Sequence, residues 1–189
     1  MKHALIAGAL SALIAAPAFA AQETYLPDPS HTYANFSVNH MGLSTVHGRF
    51  NKSDGKILLD RDAKTGSIDI AIDTKSIDTG WAKRDEHMRG GDFFSAEKFP
   101  TMNYKSTKLT FNGDKLVKVD GELTLLGVTK PLSLDVTSFT CTSHPMTKTP
   151  VCAADATATL NRSDFGMKAY VPAISDQVVI NIGIEAFKQ

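Results

Sequence analysis

Ala34-Asn35-Phe36-Ser37-Val38-Asn39-His40 places Ala34, Phe36, Val38 and His40 on one side of an extended chain and its polar residues on the other. After Met41-Gly42-Leu43 the alternation returns in Val46-His47-Gly48-Arg49-Phe50-Asn51. A period of two marks a strand with one buried and one wet face. Ile68, Ile70 and Ile72 repeat it against Asp69 and Asp73, and further strands are predicted over 102–106, 116–125, 132–140, 153–160 and 177–187. Turn signals fall between them at Ser53-Asp54-Gly55, Thr65-Gly66, Asn112-Gly113-Asp114 and Leu126-Gly127, and from Asn161 to Gly166.

About eight strands joined mostly by tight turns make an antiparallel all-β chain, because too few helices are present for parallel crossovers. The one helical stretch is Ala82–Arg89, stopped by Gly90-Gly91. Such strands either close into a barrel or stack as two sheets. Small residues on an alternating face, Ala154, Ala156 and Ala158 in one strand and Gly48 in another, leave interior room and favour a barrel with a lumen. Relief of crowding in a dense core is the other reading of those residues. No repeat, linker or low-complexity tract divides the chain, so residues 21–189 are expected to form one domain.

The first 20 residues read as a signal peptide. Met1-Lys2-His3 precedes an almost unbroken apolar run and the small-residue site Ala18-Phe19-Ala20. The run is short for a retained membrane anchor, and no later stretch is long or apolar enough to span a bilayer. The expected mature protein is exported, in a bacterial style that points to the periplasm. Twenty Lys and Arg balance twenty Asp and Glu across the 189 residues. Removing the signal takes away one lysine, so no net field would draw the whole molecule to nucleic acid or to an anionic surface. Cys141 and Cys152 flank a polar, Pro-punctuated loop, and a disulfide there suits an oxidising compartment. A metal pair would need closer spacing and companion ligands, and two free thiols are the remaining alternative.

Candidate chemistry is sparse. The chain holds no Gly-x-Ser-x-Gly, no phosphate-binding Gly-x-x-x-x-Gly-Lys and no His-Glu-x-x-His. His31, His40, His47, His87 and His144 are scattered without metal-ligand spacing, so no metal or cofactor is expected. The densest polar stretch is Lys83-Arg84-Asp85-Glu86-His87-Met88-Arg89, followed by Gly90-Gly91-Asp92-Phe93-Phe94. It reads in two compatible ways. Met88, Phe93 and Phe94 can cap the apolar end of a barrel, with Arg84 and Asp85 in structural ion pairs, or Arg84 and His87 can meet a polar ligand head at its mouth.

Several ordered motifs resemble the YceI-like family of secreted lipid-binding proteins. They are Asp28-Pro29-Ser30-His31, Ala34 through Gly42, Val46 through Phe50, Ser76-Ile77-Asp78-Thr79-Gly80, Arg84 through Met88, Asp92-Phe93-Phe94, Gly121 through Pro131, and Arg162-Ser163-Asp164-Phe165-Gly166. The resemblance implies an eight-stranded antiparallel, lipocalin-like barrel with one short helix at an end. It also implies a homodimer, a periplasmic location, and an apolar tunnel for a polyisoprenoid or similar amphiphile such as a quinone, isoprenyl phosphate or fatty amide. No catalysis is implied. The Cys141–Cys152 loop departs from the family pattern, and near the opening it would alter ligand choice.

The alternation then names the inward residues. On the first two strands they are Phe36, Val38, Val46 and Phe50, followed by Ile68, Ile70, Ile72, Met102 and Tyr104. Leu123, Leu125, Leu134, Val136, Ala156, Ala158, Ile180 and Ile182 complete the expected tunnel wall. His40, Arg84, His87 and Arg162 are the head-group candidates. A histidine-based metal- or haem-assisted enzyme and a stress-related barrel with a protein partner are the competing functions.

Overall fold

The computed structural model of the chain describes residues 22–189, so the segment read as a signal peptide lies outside the described residues. The chain runs β1 (Glu23–Pro27), β2 (Tyr33–His40), β3 (Ser44–Phe50), β4 (Ser53–Asp60), β5 (Thr65–Asp73) and β6 (Ile77–Asp78). Helix α1 (Ala82–Arg89) follows, then β7 (Thr101–Asn112), β8 (Lys115–Leu125), β9 (Val128–Ser143), β10 (Pro150–Asn161) and β11 (Gln177–Lys188). Every strand pairing is antiparallel.

These segments build a closed eight-stranded barrel. β1 and β2 lie end to end along β11, with Leu26 opposite Phe187 and Ala34 opposite Ile182. They act as one long strand broken at 28–32. β3 and β4 form the next one, since β3 pairs with β2 and β4 with β1. The ring continues through β5, β7, β8, β9 and β10 to β11, whose last residues pair with β1. At that seam Tyr25 Oη donates to Glu23 Oε2 at 2.6 Å and Lys188 Nζ meets Glu23 Oε1 at 2.6 Å.

At one end the ring is incomplete. The outer edge of β3 pairs only with two-residue β6, as Phe50 with Ile77. Helix α1 and the segment after it cover this gap. Arg89 donates to the carbonyls of Lys75 and Ile77, each at 2.9 Å, and Phe94 packs edge-on against Phe50 with ring centroids 5.2 Å apart.

Three expectations change, the first at Thr65-Gly66, which opens β5 opposite Asp60 and Leu59 while the turn itself lies at 61–64. Ser53-Asp54-Gly55 begins β4 and makes no turn, because Gly55 faces Ile70 so closely that a Cβ would sit 2.2 Å from the Asp69 carbonyl oxygen. The composition of a turn here serves a close strand approach. Gly48 leaves no ligand space either. A Cβ there would lie 2.3 Å from the ring of Phe36, which fills the gap from the paired strand.

Candidate functional site

The barrel is hollow. A cavity of about 740 Å³ lies inside it, within the size range of small-molecule sites, and its wall is almost wholly apolar. Val38, Val46, Ile68, Ile70, Ile72, Val136, Ala156, Ile180 and Ile182 point inward yet remain only half-buried. Inward side chains of a closed barrel keep accessible surface when they border unfilled space. Phe36 is likewise half-buried on the wall, whereas Phe50, Met102, Tyr104, Leu123, Leu125 and Leu134 line the cavity as buried residues. Ala158 does not reach the wall. The residue is 7% exposed and belongs to the core cluster with Phe165 and Met167, its methyl too short to extend past larger neighbours.

Tyr104 is set deep among these residues. Its hydroxyl lies 3.2 Å from the Val119 carbonyl and 3.1 Å from that of Leu132, so it presents no free polar group to the cavity. Burial pushes its ionisation well above the usual range.

The cavity reaches the surface at the α1 end. Its rim there comprises the β2–β3 turn with Met41, the start of α1 with Trp81, and the 167–174 loop with Tyr170. Backbone bonds hold these pieces together: Met41 N–H donates to the Ala173 carbonyl at 2.7 Å, and Ser175 N–H to that of Asn39 at 3.0 Å. Tyr170 stacks with Phe93 and meets His87 edge-on, both at 6.0 Å between centroids.

All four head-group candidates line the cavity, Arg162 from a buried position. Arg84 is fixed by Thr79, its Nε donating to Thr79 Oγ1 at 2.8 Å and one Nη to the Thr79 carbonyl at 2.6 Å. Buried Asp85 accepts from the N–H and hydroxyl of the same threonine. Arg84 and Asp85 are therefore joined through Thr79, and the expected structural ion pairs are absent; among the described residues neither has an oppositely charged partner. His87 approaches Asp92 at 3.5 Å, and His40 borders the cavity beside Ile174.

Arg162 has a different duty. It is 3% exposed and donates to the carbonyls of Ser175, Ile174 and Met167 at 2.9, 3.0 and 3.1 Å. These bonds shape the rim loop from within. Burial lowers its pKa and the nearby Asp176 opposes that shift. Asp176 itself is held below the usual carboxylate range by the hydroxyl and N–H of Ser163.

The sequence reading missed much of this rim. Met41, Trp81, Met167, Tyr170, Ala173 and Ile174 sit in turns and loops, where no period marks an inward face. A lone Trp beside Gly80 was the available signal for Trp81.

The cysteines form a disulfide, S–S 2.04 Å, between directly paired residues of β9 and β10. It lies at the end opposite the mouth, and the loop it subtends does not touch the opening. Among the described residues, one group of three potential metal ligands occurs, Asp28, His31 and Glu185, at the β1–β2 break. None of the three lines the cavity.

A closed antiparallel barrel with an apolar cavity open at one end is the architecture of the lipocalin-like binding barrels. The chain belongs to the YceI-like family, whose domain model matches residues 25–186. It is 34% identical to a UPF0312 protein of Vibrio cholerae and 33% identical to one of Pseudomonas aeruginosa, each over the full length of both chains. Among solved structures it resembles the YceI protein of Campylobacter jejuni, with 26% identity, a TM-score of 0.69, and coverage of 80% of this chain and 90% of that one. A polyisoprenoid binding domain from Saccharophagus degradans shares the fold at 18% identity and a TM-score of 0.66, over 88% of this chain and 98% of that one.

Proposed function

We propose that this protein binds and carries a polyisoprenoid or comparable long-chain amphiphile in the periplasm, without catalysis and without a cofactor. The observation that carries this reading is the hollow apolar interior, whose wall residues border unfilled space along several strands. Burying a chain there is worth about 0.8 kcal/mol per methylene, so a dozen carbons supply roughly 10 kcal/mol before binding costs. Arg84, tethered but without a carboxylate partner, would face an anionic or polar head at the mouth, with His40 and His87 beside it. Arg162 would act on that head only through the loop it braces. The solved neighbour described as a polyisoprenoid binding domain and the disulfide suited to an oxidising compartment support the same reading. The homodimer belongs to the proposal as well.

Native mass spectrometry of delipidated protein incubated with a polyprenol and a polyprenyl phosphate tests it. A one-to-one complex is expected, with the phosphate preferred. Failure to take up either ligand by folded protein would overturn the carrier function.

A further inference from the structure

We infer that the mouth is a docking surface for an anionic phospholipid bilayer, on which the barrel sits end-on while its cargo passes between leaflet and cavity. This builds on the carrier reading. Five of the eight exposed large hydrophobic residues among the described residues gather at the mouth: Leu43 is 81% exposed, Met41 and Trp81 59% each, and Tyr170 54%, with Val171 also exposed, whereas Leu26, Tyr33 and Met146 are exposed singly elsewhere. These belong to the three rim segments already tied together by the Met41 and Ser175 backbone bonds and by the contact of Tyr170 with His87. Leaving such side chains in water is costly unless something covers them.

The chemistry of the rim identifies the occupant. Segments 41–45, 79–84 and 167–174 carry Lys83, Arg84 and Lys168 and no carboxylate, and the exposed acids Glu86 and Asp92 follow farther along α1 and just after it. Trp and Tyr are the residues that settle at the boundary between headgroups and acyl chains, and each cation near an anionic leaflet strengthens binding about fivefold. An apolar ring that carries these three cations complements a phosphate-bearing surface. A second copy of the same rim would set like charges against each other. The cavity opens inside this ring, so a bound tail could move from bilayer to barrel without crossing water.

Trp81 is the chain's single tryptophan and reports on the contact directly. Cargo-free protein mixed with phosphatidylethanolamine/phosphatidylglycerol vesicles should float with them. Its emission should shift to shorter wavelength, and its quenching by iodide should fall. Leu43→Asp/Val171→Asp, at rim positions outside the cavity wall, should abolish flotation while leaving uptake of detergent-dispersed polyprenol unchanged. Lys168→Glu should weaken vesicle affinity about fivefold or more. Wild-type protein that takes up polyprenol but does not bind vesicles would overturn the docking surface and leave the carrier reading intact. Trp81 protected without vesicles, in step with dimer formation, would overturn it in favour of a second copy. Vesicle binding without polyprenol uptake would sustain the docking surface and fail the carrier reading.

Discussion

The two ends of the barrel are built on opposite principles. At the end away from the mouth, Tyr25, Leu59 and Ala186 are nearly inaccessible, Cys141 is bonded to Cys152, and Glu23 links Tyr25 to Lys188 across the seam. Burial and the Glu23 bond raise the Tyr25 phenol to about 12, so it stays a donor to Glu23, whose carboxyl is lowered by Lys188 and Tyr25. At the mouth the ring of strands is broken, covering elements are short, and large apolar side chains face outward. One end holds the strands together and the other leaves its apolar surface open. A binding barrel needs both, because strand pairing that closes each end completely would seal the cavity.

Four changes probe this division. The largest effect is expected from Ile182→Arg. It puts a charge on the inner wall, where desolvation would cost several kcal/mol, so uptake of polyprenol should be lost in a protein that still shows the far-UV signature of a β-barrel. Retained uptake would mean the wall faces are misassigned. Arg162→Ala should come next, lowering stability by roughly 4 kcal/mol in urea unfolding as three loop carbonyls lose their donor. Its proteolytic sensitivity should rise first in the 167–174 loop. Cys141→Ala/Cys152→Ala should cost about 3 kcal/mol through greater freedom of the unfolded chain. Uptake should not change, since the bridge lies far from the opening, and a changed ligand preference would show that the two ends are coupled.

The smallest effect concerns Asp28. Its carboxylate meets His31 Nδ1 at 2.8 Å and accepts from the N–H and hydroxyl of Ser30, which holds its pKa at about 2, while His31 is raised by the same contact. The depressed carboxyl contributes stability above roughly pH 3.9, lost as pH falls toward 2. The raised imidazole contributes below about 6.5, and that share is lost as pH rises through its folded value. Both act together between about pH 4 and 6.5. Asp28→Asn should therefore lower the melting temperature most near pH 5 and least at pH 9, and a pH-independent decrease would assign Asp28 a purely steric part.

Much of the wall was legible because a strand's facing is local. Once Ile68 is placed inward, Ile70 and Ile72 must follow, and all three line the cavity. The extent of α1 was legible too, because its polar run Lys83–His87 ends against Gly90-Gly91. β1 and β4 were not. Glu23–Pro27 is too short to display a period, and Ser53-Asp54-Gly55 carries the composition of a turn although it lies in a strand. The rim escaped for a related reason, since loop residues have no period to betray a common face.

By itself the sequence determined which residues share a side of each strand, where the helix starts and stops, and that Cys141 and Cys152 bracket one loop, because all of these depend on neighbours along the chain. Only the tertiary structure decided which end opens, that Phe36 takes the room left by Gly48, and that Arg162 braces a loop. It also brought Met41, Trp81 and Tyr170 to one rim. Those outcomes arise from closing the barrel, which joins Glu23 to Lys188 and sets His87 against Tyr170, contacts between residues far apart in the chain.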